Sequence, residues 1–286
     1  MKLCVRGCHN LQVIPNLSQL IHLEEVEING SALKSLPNGF GTRLTSLLCF
    51  SIVECPALRK NPLRKNPDSL GDCFSLMKLC IRDCHNLEVI PDLSQLIHLE
   101  EVKINGTALK SLPSGLEPSS LHYFASPFLE VMPDLSQLIH LEEAEINGCK
   151  KLTHLPKGLQ ILPLLNSLSI GGLESLDIAS SSSMTSQLHF PALKLLRVID
   201  NDCAEQVPDW VGNLSSLQKL ELEGCKNLMH LPSRDVILKM TRLTALTIRS
   251  CPLLQEKCAK DGAEWDKISH IHLIRVDTKT IQERSS

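Results

Sequence analysis

The sequence predicts an α/β-type solenoid in which about a dozen short turns of chain stack side by side and share one parallel sheet. Three observations predict it: a long internal duplication, a shorter period beneath it, and a composition rich in leucine and poor in aromatic residues. Leucine occupies 52 of the 286 positions, against six Phe, two Trp and one Tyr. Many similar layers filled with leucine suit a repeat protein better than one large core.

The long duplication joins two segments that align without a gap. Residues 1–39 and 77–115 are identical at 32 of their 39 positions. A third copy of the central part, PDLSQLIHLEEAEING, runs from Pro133 to Gly148. The similarity is equally compatible with recent exchange that diversifies a surface and with a decaying gene copy.

The shorter period follows the unit L-x-x-L-x-L-x-x-C-x-x-L-x-x-L-P, with copies 19 to 29 residues apart. Its central apolar residue is placed at Leu3, Val26, Phe50, Leu79, Val102, Leu121, Ala144, Leu168, Leu196, Leu220, Leu246 and Ile271. These lengths are typical of leucine-rich repeats. We therefore expect a leucine-rich-repeat horseshoe with a parallel concave sheet and an irregular or 3-10 convex side. Residues 1–250 would form the solenoid, of about eleven units, and 251–286 a C-terminal capping repeat and tail.

Each part of the unit has a predicted place. In the strand, alternation sends Leu220 and Leu222 to the interior and Glu221 to the opposite face. The turn that leaves the strand calls for a small buried group, which Ser31 and Thr107 supply in two copies. Cysteine fills the same position at Cys8, Cys55, Cys84, Cys149, Cys225 and Cys251. We interpret these cysteines as a stack of reduced thiols, which favours a reducing compartment.

The return path of each unit, which is the convex segment between one strand and the next, is predicted to be irregular. Leu-Pro pairs at Leu36, Leu112, Leu155 and Leu231 favour short 3-10 turns on the convex side, because proline suits irregular segments better than a regular helix. Two stretches, 59–72 and 171–186, lengthen their units. Insertions of this kind usually form surface loops. They are either tolerated bulges or loops that contact a partner.

The sequence offers no motif for catalysis. It contains no G-x-x-x-x-G-K-[ST], G-x-G-x-x-G, G-x-S-x-G or H-E-x-x-H. The pair Cys4 and Cys8, repeated as Cys80 and Cys84, has a spacing longer than zinc sites normally use, and one member of each pair is expected to face inward. We predict no enzyme activity, catalytic residue, cofactor or metal site.

The charge balance and the hydropathy argue against some classes of partner. The formal net charge is −3, from 29 basic and 32 acidic residues. That near-balance argues against a protein held on nucleic acid or on anionic lipid by bulk charge. We find no apolar run long enough to span a bilayer.

What remains is the face of the predicted sheet, where side chains that flank or alternate with the strand leucines would point toward the concave side. The predicted protein-binding residues are Glu24, Glu25, Glu27, Lys78, Arg82, Glu101, Lys103, His122, Phe124, Glu143, Glu145, Arg197, Lys219 and Glu221. Like charges on neighbouring strands lie about 5 Å apart, which is unfavourable without a cation nearby. The glutamates either keep an open sheet soluble or receive a basic surface of another protein or domain.

The repeat unit and the end of the sequence resemble a known protein family. The unit L-x-I-x-x-C-x-x-L-x-x-L-P resembles the leucine-rich-repeat region of plant intracellular nucleotide-binding immune receptors, the disease resistance proteins. The ending resembles the terminal cap of their coiled-coil subclass, although His272 stands where that family usually carries proline. The residues that carry the likeness of the cap are Leu246, Ile248, Cys251, Pro252, Leu253, Leu254, Cys258, Gly262, Trp265, Lys267, Ile268, His270 and Ile271.

The resemblance implies a role in innate immunity. In such receptors the repeat region recognises pathogen effectors or guarded host proteins, and it contacts the nucleotide-binding domain to keep that domain inactive. It implies a cytoplasmic location, with the nucleus or a membrane reached through partners. A general cytosolic scaffold that recruits a phosphatase or a ubiquitin-ligase substrate is the alternative. Because Leu3 and Val5 enter a repeat strand almost at once, we expect the amino-terminal edge to stack on missing sequence or on a partner.

Overall fold

The computed structural model describes residues 1–35, 44–58, 73–90, 93–111, 121–126, 128–130, 132, 134–136, 138–152, 155–172 and 190–284, without the side chains of 121–125. The chain forms two compact units, Met1–Pro133 and Asp134–Ser286. The predicted insertion at 59–72 and most of the one at 171–186 lie outside the described residues. So do the Leu36 and Leu112 pairs with proline. The predicted division of the chain after residue 250 stays a prediction.

The first unit contains six parallel strands that follow one another in chain order. They are β1 (Lys2–Arg6), β2 (Glu25–Asn29), β3 (Cys49–Val53), β4 (Lys78–Arg82), β5 (Glu101–Asn105) and β6 (Leu121–Ala125). Their predicted central residues lie in register, so that Val26 pairs with Phe50 and Leu79 with Val102. These four side chains are at most 1% exposed. The period-two alternation therefore places one apolar side of β2, β3, β4 and β5 in a shared core, as the sequence predicts.

The second unit repeats the arrangement and ends in a hairpin. Its strands are β7 (Glu143–Asn147), β8 (Ser167–Gly171), β9 (Leu195–Ile199), β10 (Lys219–Glu223), β11 (Ala245–Arg249), β12 (Leu273–Val276) and β13 (Lys279–Glu283). Strands β7 to β12 are parallel, and β13 pairs antiparallel with β12. Leu220 pairs with Leu196 on one side and with Leu246 on the other. One strand per repeat in a parallel sheet confirms the leucine-rich-repeat solenoid.

The last predicted repeat position is wrong. Leu246 pairs with Ile274, not with Ile271. Two helices, α2 (Pro252–Lys257) and α3 (Trp265–Ile268), occupy the intervening segment and lengthen the final step. Ile271 is itself 1% exposed, because it fills the first apolar position of L-x-x-L. Burial alone therefore could not distinguish the two isoleucines.

The return paths partly match the prediction of 3-10 turns. Short 3-10 helices run over Leu159–Ile161 and Asp209–Asn213. After Leu231-Pro232, however, the chain forms an α-helix, α1 (Arg234–Lys239). Ser233 caps it, since its Oγ accepts a hydrogen bond from the Val236 N–H at 3.4 Å. This N-cap, which the repeat pattern does not include, explains why an α-helix forms there.

The cysteine position at the strand exit is confirmed as an interior position in most repeats. Cys55, Cys84, Cys149, Cys225 and Cys251 are buried free thiols. The thiol of Cys84 donates to the Arg82 carbonyl at 3.4 Å, and that of Cys225 to the Glu223 carbonyl at 3.5 Å. Cys8, predicted to face inward, is instead exposed. It follows β1, which among the described strands pairs only with β2, and Leu3 and Val5 of that strand are likewise only partly buried.

The residue that follows most strands adopts a left-handed conformation. This position holds glycine in six described repeats, but Glu54, Asp83, Asp200, Ser250 and Asp277 also have φ between 48° and 53° there. The turn is held by the next strand, as the N–H of Glu54 donates to the Arg82 carbonyl at 3.0 Å. A side chain with Cβ is disfavoured in this region, so each non-glycine residue costs free energy.

Replacing Glu54 with glycine is therefore expected to stabilise the first unit. The side chain of Glu54 is exposed, so its loss removes little packing. Relief of the left-handed backbone should raise the free energy of unfolding by about 0.5–1 kcal/mol, net of the extra freedom of the unfolded chain. Urea denaturation measures the change. Glu54→Ala keeps the strain and should change stability by less than Glu54→Gly; equal effects would contradict the explanation.

Candidate protein-binding surface

The outward side chains of the strands form what we call the open face of the sheet. In the five-residue parallel strands whose side chains are described, the first, third and fifth side chains point to this face, as Lys219, Glu221 and Glu223 do in β10. Parallel in-register pairing sets equivalent positions side by side, about 4.8 Å apart. Charges on adjacent strands are therefore close enough to pair, and the structure shows which of them do.

In the first repeats of unit one, acidic and basic side chains compensate each other. Arg6 donates through Nε and Nη2 to the two carboxylate oxygens of Glu27 at 2.8 and 2.7 Å. Lys2 lies 2.9 Å from Glu25 and 3.5 Å from Glu27. The hydrogen bond from Arg6 holds the pKa of Glu27 below its usual value. These predicted glutamates are thus neutralised within the sheet.

A second network joins β4 and β5. Lys78 Nζ lies 3.2 Å from Glu101, and Lys103 forms an ion pair with the same carboxylate. The hydrogen bond from Lys103 lowers the pKa of Glu101, although partial burial opposes it. Arg82 is exposed and makes no ion pair with any residue that the structure describes.

The third network lies in unit two and is the most buried. Glu221 is 8% exposed and accepts from Arg197 Nε at 2.6 Å, while Lys219 Nζ lies 2.5 Å away. Burial alone would raise the pKa of Glu221, but hydrogen bonds from Lys219 and Arg197 hold it below its usual value. Next to it, Arg249 lies 3.9 Å from Glu223.

Glu143 and Glu145 on β7 differ from these glutamates. Within the described part of unit two, neither of them forms an ion pair, and Glu143 is exposed. The neighbouring positions on β8 are Ser167 and Ser169, whose side chains are small and uncharged. The two carboxylates therefore remain available to a cation that the described residues of this unit do not supply.

The apolar part of this face was missed by the sequence prediction. On β9, Leu195 and Ile199 flank Arg197 at outward positions and are only partly buried. Their pairing partners on β8 are Ser167 and Gly171. In a strand of composition LLRVI, the outward leucine and isoleucine cannot be told from core residues by hydropathy. The register of the neighbouring strands is the signal that could have found them.

Three predicted residues have other positions. Glu24 precedes β2, and its carboxylate lies 3.2 Å from the amino terminus of Met1. His122 and Phe124 lie in β6, whose side chains fall outside the described residues. The backbone register places Tyr123 opposite Lys103 and Phe124 opposite Ile104 after a shift in the pairing.

The C-terminal cap contains a buried charged cluster around Glu264. Its carboxylate, 5% exposed, accepts from Lys267 Nζ at 2.7 Å and from the Leu231 N–H at 3.0 Å, and lies 3.3 Å from His230 Nδ1. Burial would raise the pKa of Glu264, but these hydrogen bonds, Lys267 first, hold it below its usual value. The cluster ties the helical cap to the preceding repeat. It is a structural contact rather than part of the open face.

Comparison with known proteins gives a consistent result. The chain is 28% identical to the Arabidopsis thaliana protein SUPPRESSOR OF npr1-1, CONSTITUTIVE 1 over 219 residues, covering 69% of this chain. It is 28% identical to a putative disease resistance protein of the same plant, At4g19050, over 292 residues and 99% of the chain. The chain is similar in sequence to plant disease resistance proteins. No protein-family model matches it.

The extent of the similarity matters. The chain spans 15% and 23% of the lengths of these two relatives. A leucine-rich-repeat protein of Leptospira interrogans, LIC12759, superimposes with a TM-score of 0.52 at 20% identity, over 85% of this chain and 65% of that one. The latter similarity shows the fold alone. The coiled-coil subclass stays a prediction.

The fold and the relatives indicate a protein-interaction module. Among the described residues, no group of three or more His, Cys, Asp or Glu side chains is arranged to hold a metal ion. None of the described helices is long and apolar enough to cross a bilayer.

Proposed function

We propose that this chain is a protein-recognition region of a plant immune receptor, which binds a pathogen effector or a guarded host protein through the open face. Its homology to disease resistance proteins supports the class of function. The observation that carries the site is the contrast between compensated and uncompensated glutamates. Glu27, Glu101 and Glu221 are paired within the sheet, whereas Glu143 and Glu145 have no ion-pair partner within the described part of unit two.

The partner would bring a basic surface to β7. Uncompensated carboxylates beside small serines leave room for Lys or Arg, and Leu195 and Ile199 on β9 offer apolar contact to the stem of such a side chain. Within unit two, the paired residues Arg197, Lys219 and Glu221 would form the polar surroundings of this site rather than its centre. The paired residues of unit one would form a polar surface of that unit; they are Glu25, Glu27, Lys78, Glu101 and Lys103. Arg82 would remain available to an acidic group.

The same proposal includes contact with a nucleotide-binding domain of the whole receptor and action in the cytoplasm, with the nucleus or a membrane reached through partners. A basic patch on that domain could occupy the β7 carboxylates in the resting state. An effector or guarded protein would then compete for them. Both binding events depend on the same charges, so a single pair of substitutions tests them.

Charge reversal at Glu143 and Glu145 is expected to abolish partner capture. The full chain, immobilised, is exposed to extracts of healthy and of infected leaves, and the retained proteins are quantified by mass spectrometry. Glu143→Lys with Glu145→Lys should lower the retained partner at least tenfold, because each like-charge contact across an interface is strongly unfavourable. High salt should weaken capture by the unchanged chain.

A matched control has the same charge change elsewhere. Glu205 and Glu256 are exposed residues of unit two outside its strands. Glu205→Lys with Glu256→Lys should leave capture unchanged. Equal loss in both double variants would reject the β7 site. A partner retained equally from both extracts and belonging to a phosphatase or a ubiquitin ligase would favour the scaffold over the immune receptor.

A further inference from the structure

Unit one has a second surface, located where the chain enters strands β3, β4 and β5. Leu48, Met77 and Glu100 are the residues immediately before these strands. They line a cleft of about 410 Å³ together with Ser75, Ile97 and His98. We call it the strand-entry cleft. It is formed by side chains from three successive repeats and does not include the open-face residues discussed above.

The cleft is bordered by apolar side chains that the core does not use. Leu48 is 42% exposed and Ile97 65% exposed. Phe74, at the position equivalent to Ile97 one repeat earlier, is 45% exposed. The core in these repeats is already filled by Leu47, Leu76 and Leu99, each at most 1% exposed. Scattered exposed apolar residues are common, but a run over consecutive repeats marks an interaction site.

The spacing of the residues at the strand entries suits a helix. Leu48, Met77 and Glu100 hold the same position, immediately before the strand, in three adjacent repeats, so the outer two are separated by two strand spacings, about 10 Å. Seven residues of an α-helix rise about 10.5 Å. Apolar side chains at positions i and i+4 of a partner helix would therefore meet Leu48 and Met77, and a side chain at i+7 would meet Glu100.

The charge at one end sets the polarity of the partner. Glu100 is exposed and forms no ion pair with the residues that the structure describes. Its neighbour Glu101 is compensated by Lys78 and Lys103, so those lysines are already engaged. A cationic side chain in the last turn of the partner helix would complete the contact with Glu100.

We propose that the strand-entry cleft docks a short amphipathic helix of another protein, with its apolar stripe on Leu48, Met77 and Ile97 and a Lys or Arg on Glu100. This surface is independent of the open face. The two sites together would let the chain hold one partner on the sheet and a second one at the strand entries.

Synthetic helical peptides test the proposal directly on the full chain. The probe is a fluorescein-labelled 14-residue peptide with leucine at i and i+4 and with lysine at i+7, which faces Glu100. Fluorescence anisotropy should show saturable binding. Ile97→Ser should weaken binding about tenfold, since it removes one aliphatic side chain that the bound peptide would bury. Glu100→Lys should weaken it roughly fivefold at low ionic strength.

A charge swap and a matched control make the test specific. A peptide with glutamate in place of lysine should bind Glu100→Lys better than it binds the unchanged chain. Glu88 and Val89 are exposed residues of the same unit outside the cleft, so Glu88→Lys and Val89→Ser should leave binding of the probe unchanged. Absence of saturable binding, equal losses in the controls, or self-association that Ile97→Ser removes would each overturn the proposal. The variants of Glu143 and Glu145 should bind the peptide normally, which separates this site from the proposed function.

Discussion

Replacing Glu264 with alanine is expected to lower the free energy of unfolding of the C-terminal repeats by about 3 kcal/mol. Its carboxylate is 5% exposed and is the shared partner of Lys267, His230 and the Leu231 N–H. Removing one member of a buried charged cluster leaves the others without compensation, which costs about 3–5 kcal/mol. Lys267 keeps some access to solvent, and this favours the lower end. Both tryptophans, Trp210 and Trp265, lie in the same unit, so their fluorescence during urea unfolding reports the loss.

The contribution of Glu264 to the free energy of unfolding should depend on pH. The pKa of Glu264 is lowered in the folded chain, so its contribution is fully present above the unfolded value and is lost as pH falls through the folded one. The stability difference between the unchanged chain and Glu264→Gln should therefore be constant near neutral pH and shrink below about pH 4.5. Glu283→Gln, at an exposed position on β13, should change stability by less than about 0.5 kcal/mol at any pH. A difference that does not depend on pH would contradict the ionised cluster.

The second large effect is expected from Phe50→Ala in the first unit. Phe50, the central apolar residue of its repeat, is fully buried in β3. It pairs with Val26 and Leu79 on the adjoining strands. Truncation leaves a cavity between layers that cannot close, since both neighbours are fixed by the ladder. We expect a loss of about 3–5 kcal/mol. Hydrogen exchange followed by mass spectrometry should show faster exchange in peptides that cover β2 to β4.

A conservative variant serves as the control for this position. Phe50→Leu restores the residue type of most repeats and should cost about 1.5 kcal/mol or less, because the layer keeps most of its volume. If Phe50→Ala and Phe50→Leu exchanged at the same rate, the aromatic ring would not be filling the layer as the structure shows.

The strands could be predicted because their signal is repeated. Eleven of the twelve central residues proposed from the period lie in strands. The twelfth, Ile271, is wrong because helices α2 and α3 lengthen the step from β11 to β12. Repetition works as an alignment of the chain with itself. The cap has a single copy, so its step length had no second example to correct it.

The site was less predictable, because pairing between strands decides which charges remain free. Glu27 is the third residue of β2, Glu101 the first of β5 and Glu145 the third of β7, and the sequence does not show which of the three are paired. Only the register shows that Arg6 and Lys78 reach the first two, whereas β8 offers serine to the third. The strand-entry cleft was missed because Leu48, Met77 and Ile97 resemble core residues in a leucine-rich sequence.

The left-handed residue after most strands has a consequence for how the gene can change. It marks the same point of these repeats, so equivalent points recur along the chain. The near-identical segments start at Met1 and Met77, 77 − 1 = 76 residues apart, at equivalent points of β1 and β4. Misaligned crossing-over between these segments would add or delete three whole repeats and would leave the turns after the strands unchanged. Gene rearrangement could thus lengthen or shorten this molecule without creating an unfoldable product.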